Sequence, residues 1–100
     1  MVIVGGAFTV EPSQRDEFLA GRQDAMRASR AEPGCLEYTL SADPIDPGRI
    51  VLFERWSSQE ALDAHLAAAR ERPASGGSGI AAIPLSIMVY DVTGERPLGA

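Results

Sequence analysis

Apolar residues recur at every second position in some stretches of this chain and at every third or fourth in others, and the switches between the two periods predict its elements. Val2 to Val10 is β-branched and apolar and reads as a first strand, with Gly5-Gly6 marking a bulge or a close approach of another segment to the backbone. Glu11-Pro12 ends it. Ser13 has the character of a helix N-cap, with Asp16 three positions on, and Phe18, Leu19, Ala25, Met26 and Ser29 share one helical stripe down to about Ala31. Glu32-Pro33-Gly34 stops that helix, because proline disfavours helix in the residue before it and glycine accepts the turn.

A second strand follows from Cys35 to Ala42, alternating Leu36, Tyr38 and Leu40 with Glu37, Thr39 and Ser41. The turn-forming run Asp43 to Gly48 joins it as a hairpin to a third strand, Ile50 to Trp56. Ser57 with Glu60 is a capping box for a second helix whose stripe is Ala61, Leu62, His65, Leu66 and Ala69, ending between Arg70 and Arg72. Pro73 to Gly79 has linker composition and is expected to be flexible; Leu85 to Val92 is the fourth strand, and a loose tail ends the chain.

The order β-α-β-β-α-β is the split β-α-β, ferredoxin-like arrangement of the α+β class, with a four-stranded antiparallel sheet and both helices on one face. One domain over residues 1–94, with a tail at 95–100, accommodates it. The other sheet face is predicted to be apolar too: Val51 and Phe53 oppose Ile50, Leu52 and Trp56, while Met88, Tyr90 and Val92 oppose Leu85, Ile87 and Val89. Two helices cover one side only, so the second side is expected to meet another copy of the chain in a two-fold homodimer.

Composition narrows the partners. The net charge is −5 and all nine basic residues are scattered arginines, which argues against nucleic acid and anionic membrane surfaces. Cys35 is the only cysteine, so no intrachain disulfide forms, and with one His no zinc-type ligand set exists. No apolar run approaches the roughly 20 residues that span a bilayer, and the start of the chain has no signal-peptide pattern. The expectation is a soluble, cytoplasmic protein without a zinc-type metal site.

Candidate chemistry gathers between Ile50 and His65, the stretch holding the only Trp and the only His. Seven residues of helix separate His65 from Ser58, roughly 10 Å, which folds the imidazole back over the third strand near Phe53 and Glu54. Facing inward, His65 is either a neutral core histidine or a general base. Trp56 is either a core anchor or a pocket wall, and Tyr38 either core or a hydrogen-bonding group for a ligand. Glu54, a carboxylate in an apolar strand, needs a partner, with Arg22 or an arginine of a second subunit as candidates.

Several segments together resemble the antibiotic biosynthesis monooxygenase family: Arg15-Asp16-Glu17-Phe18, Glu32-Pro33-Gly34-Cys35-Leu36 with Tyr38, and Glu54-Arg55-Trp56 followed by Ala61-Leu62-Asp63-Ala64-His65-Leu66. The resemblance implies a dimeric α/β barrel and, in some members, oxygenation of phenolic or quinol-like aromatics without metal or flavin. Haem-degrading relatives carry an Asn on the first strand and a later His in the second helix; this chain has Gly6, Ala7 and Phe8 in the one place and Ala69 to Arg72 in the other. The expected activity is therefore cofactor-independent monooxygenation of a small aromatic phenol or quinol, with His65 as base and Trp56, Tyr38, Glu54 and Phe53 around the substrate. The alternatives are a non-catalytic small-molecule-binding or stress-response dimer, and an isomerase of a small carbonyl compound.

Overall fold

The computed structural model describes residues 1–72 and 79–99. Its strands are β1 (Val2–Thr9), β2 (Cys35–Ala42), β3 (Arg49–Trp56) and β4 (Ile83–Asp91), and its α-helices are α1 (Arg15–Gly21), α2 (Gln23–Arg30) and α3 (Gln59–Arg70). The sheet order is β2-β3-β1-β4 and every pairing is antiparallel, which is the ferredoxin-like α+β fold. The expected flexible run 73–79 lies outside the described residues except for Gly79, and residues 92–99 add no helix or strand. No helix among the described residues is long and apolar enough to cross a membrane.

The core lies between the helices and one sheet face. Val2 and Val4 of β1, Tyr38 and Leu40 of β2, and Ile50, Leu52 and Trp56 of β3 are buried there against Phe18 and Leu62. The alternation of β3 holds: Ile50 and Trp56 are fully buried, while Phe53 on the opposite face is 39% exposed. Leu85, Met88 and Tyr90 of the edge strand β4 are also exposed.

Four local expectations are corrected. The single helix expected from Ser13 to Ala31 is two, interrupted at Arg22 (φ −98°, ψ −4°), whose amide bonds Leu19 O three residues back. Gly21 precedes the interruption, and glycine is a poor helix former. Ser13 caps nothing, because Pro12–Gln14 closes a 3-10 turn first and Gln14 holds the cap position of α1 without a side-chain bond. Ser58, not Ser57, caps α3, its Oγ accepting from the Ala61 N–H at 3.1 Å. Ser57 is occupied elsewhere, donating its own N–H to Gly34 O at 2.8 Å.

The fourth correction concerns sheet faces. β4 bulges at Ser86, a non-glycine residue at φ +45°, so Gly5 pairs with Met88 but Ala7 with Leu85. The extra residue turns Leu85 to the face of Met88, away from Ile87 and Val89. Gly6 makes the bulge possible: a Cβ there would lie 2.8 Å from Ile87 Cα, which is the close approach that Gly5-Gly6 signals in the sequence. A register shift between Cys35 and Glu37 similarly leaves Leu36 exposed rather than aligned with Tyr38 and Leu40.

Candidate functional site

A cavity of about 650 Å³ opens between the helices and the inner sheet face. Its walls are mostly aliphatic and aromatic, with Val4 and Phe8 from β1, Phe18 from α1, Leu40 and Leu52 from the sheet, Leu62 from α3, and Ile80 and Ile87 from the last part of the chain. Four polar side chains reach it: Arg22, Tyr38, Glu54 and His65.

His65 sits two turns into α3 on the buried stripe and is 4% exposed. Its Nδ1 is 3.1 Å from Glu32 Oε1, and that same oxygen accepts from Arg72 NH2 at 3.0 Å. An oxygen already serving a guanidinium as acceptor serves the imidazole as acceptor too, so we assign the ring proton to Nδ1. Nε2 then carries the lone pair and lies 3.9 Å from Glu54 Oε1, beyond hydrogen-bond reach. Trp56 backs the imidazole at a centroid distance of 4.7 Å and 34° between planes, and Tyr38 flanks it at 5.3 Å and 56°.

The turn Glu32-Pro33-Gly34 delivers Glu32 to this place. Gly34 has φ +82°, and a Cβ on it would fall 2.6 Å from Ala61 Cβ and 2.7 Å from Ser57 Oγ. Only glycine lets the turn press so closely on the start of α3. With Ser57 N–H bonded to Gly34 O, the end of α2 is locked to the β3–α3 junction, and the carboxylate projects to the imidazole. Arg72 ties down the far side, reaching both Glu32 and the fully buried Ser29, whose hydroxyl donates to Ala25 O at 2.8 Å.

Glu54 is 5% exposed and accepts from the Trp56 indole N–H at 2.9 Å. Its hydrogen-bond partner is therefore Trp56, with His65 Nε2 next nearest at 3.9 Å; the expected pairing with Arg22 does not form. Burial raises its pKa, against the lowering effects of the Trp56 hydrogen bond and of His65. Burial also raises the Tyr38 phenol and adds to the effect of Glu54, while Arg22 acts the other way. The Cys35 thiol is raised by burial and by the nearby Glu32, which disfavours the thiolate a nucleophile requires.

Among the residues expected at the site, His65, Tyr38 and Glu54 converge on the cavity wall. Trp56 is placed behind His65 and does not line the cavity. Phe53 points to the other sheet face and is not part of the site, because neighbouring residues of a strand project to opposite sides. Sequence reasoning gave Glu32 no role at the site, reading it as the end of a helix and as part of a family motif; no local pattern marks an interaction with a residue 33 positions away.

The sequence model of a family described as "Antibiotic biosynthesis monooxygenase" matches residues 1–71. A Bacillus subtilis protein named "Putative monooxygenase YcnE" is 31% identical over 65 residues, covering 65% of this chain and 68% of that protein. An uncharacterized Synechocystis protein, sll1783, is 36% identical over 64 residues, a stretch that is 64% of this chain but only 44% of the relative. Among solved structures, Rv0793 from Mycobacterium tuberculosis is similar with a TM-score of 0.64 and 29% identity, covering 96% of this chain and 98% of the other. A Deinococcus radiodurans structure described as of an antibiotic biosynthesis monooxygenase of provisional assignment superposes with a TM-score of 0.71 at 26% identity, over 97% and 96% of the two chains.

Proposed function

This chain belongs to the antibiotic biosynthesis monooxygenase family, and from that premise we propose that its cavity oxygenates a small aromatic phenol or quinol without a metal or flavin. The observation that carries the reading is the state of His65: Nδ1 is anchored by Glu32, and Nε2 presents its lone pair to an apolar cavity. A histidine held in one tautomer by a carboxylate is arranged as a general base.

A hydroxyl oxygen about 2.8 Å from each of Nε2 and Glu54 Oε1 fits across the gap of 3.9 Å between them. His65 removes the proton of that hydroxyl, and burial keeps Glu54 inclined to the protonated, donating form. The resulting anion is electron-rich at a ring carbon, which attacks dioxygen to form a peroxide. His65 returns its proton to the peroxide. The O–O bond then breaks with loss of water that takes up the hydrogen of the same ring carbon, leaving one oxygen atom on the ring as a carbonyl. All electrons come from the substrate, so the balance needs no external reductant. A volume of about 650 Å³ lies within the range of roughly 300–1,000 Å³ common for small-molecule sites.

The exposed apolar face formed by Phe53, Leu85, Met88 and Tyr90 supports assembly of two chains face to face, which we include in the proposal. The test is oxygen consumption with a naphthohydroquinone, monitored together with product mass. His65→Ala is expected to lower turnover by about 10²- to 10⁴-fold. Unchanged turnover would remove His65 from the mechanism, and product formed without oxygen uptake would favour an isomerase.

A further inference from the structure

We infer that the cavity selects aromatic molecules bearing a carboxylate, which Arg22 and the Tyr38 hydroxyl hold. The inference rests on the reading of this cavity as the substrate site and names the chemical class it takes.

Arg22 occupies the interruption between α1 and α2, where the helical repeat fails, and its side chain lines the cavity. Its situation differs from that of the other arginines with assigned contacts. Arg15, Arg27, Arg49 and Arg72 lie 2.8–3.0 Å from carboxylates, and Arg30 donates to Tyr38 O and Thr39 Oγ1. Arg22 has no carboxylate of the described residues within 4.0 Å, and the group it acts on is the Tyr38 phenol.

Arg22 is half-buried at a mostly apolar cavity wall without a counter-charge, and the planar fork of donors of a guanidinium matches a carboxylate in a two-point contact. Glu54 does not serve as that counter-charge: its carboxylate lies against the Trp56 indole at 2.9 Å and His65 Nε2 at 3.9 Å, and not within 4.0 Å of Arg22. The two polar pairs of the cavity are chemically distinct, although Tyr38, opposite Glu54 in the β2–β3 register and 5.3 Å from the His65 ring, adjoins both. His65 with Glu54 suits a neutral hydroxyl that is to lose a proton, and Arg22 with Tyr38 suits an anion. The mostly apolar cavity wall suits the ring.

The experiment compares 2-naphthoate with 2-naphthylmethanol, which share the ring and differ in charge, by calorimetric titration of the full chain at neutral pH. Wild-type protein is expected to bind the carboxylate at least about ten-fold more tightly, as a charge-assisted pair requires. Arg22→Gln should abolish the preference and Arg22→Lys should retain part of it. The Arg22 Nε–H resonance should shift with 2-naphthoate and stay in place with the alcohol, a readout that needs no variant. Equal binding of both probes by wild-type protein, or a preference that survives in R22Q, would overturn the inference. If the preference is absent while a naphthohydroquinone is still oxygenated through His65, only the inference falls. If the preference holds while His65→Ala turns over normally, the oxygenation reading falls and the anion site stands. If neither probe binds, the inference falls, and naphthohydroquinone turnover through His65 alone decides the oxygenation reading.

Discussion

Glu32 and His65, 33 residues apart in the chain, meet at 3.1 Å between a carboxylate oxygen and Nδ1, with Arg72 on the same oxygen from the other side. This contact decides which imidazole nitrogen is available to the cavity. Glu32→Gln removes the charge and lets either tautomer form. The expected outcome is a kcat lowered by about ten- to a hundred-fold with KM little changed, the scale on which orienting partners of a histidine act. Nitrogen NMR of His65 should show a single Nδ1–H tautomer in the wild type and a mixture in the variant. An unchanged tautomer would separate Glu32 from the proton chemistry.

Glu54 supplies a pH dependence with a definite sign. Burial raises its pKa above the ordinary 4.5, so the folded state favours the protonated carboxyl. Its favourable contribution is complete below the ordinary value and is lost as pH rises through the raised one. Glu54→Gln keeps an oxygen for the Trp56 N–H and cannot ionise. Its melting temperature should match the wild type near pH 4 and exceed it by a few degrees at pH 8. A constant difference across that range, measured by circular dichroism, would contradict the assignment.

Gly34→Ala places a methyl group 2.6 Å from Ala61 Cβ in a residue at φ +82°. Both the clash and the left-handed backbone oppose it, at about 1–3 kcal/mol or more. Denaturant titration should show that loss. Because the turn carries Glu32, the variant should also reproduce part of the E32Q defect in kcat, whereas Gly94→Ala, with nothing near its added methyl, should do neither.

The open sheet face carries the assembly prediction. Light scattering at micromolar concentration should give twice the mass of the chain, and Met88→Glu, at a residue 53% exposed and on that face, should give a folded monomer. A wild-type monomer at that concentration would refute the dimer.

The elements and their order were legible in the residues, because burial on one face imposes a period that the sequence must show. The alternation of Ile50, Leu52, Glu54 and Trp56 against Val51 and Phe53 fixed which side of β3 is inside, and the stripe of Leu62 and His65 fixed which side of α3 meets it. The same period misled at β4, where the bulge at Ser86 reverses Leu85; the glycine permitting that bulge sits on a different strand, as Gly6. It misled at Phe53 for another reason. Nearness in sequence to Glu54 was read as nearness in space, although adjacent strand residues face opposite ways.

What the sequence alone determined was the fold and the inward placing of His65, Tyr38 and Glu54, since these follow from local periodicity and from short turns. The tertiary structure decided the chemistry of the site. Glu32 reaches His65 only because Gly34 lets the turn rest against the start of α3, and Arg22 enters the cavity only where the helix is interrupted. Trp56 supports the imidazole from behind instead of lining the cavity, and its indole N–H goes to Glu54. Contacts of this kind join residues from separate elements, and the packing that creates them leaves no period along the chain.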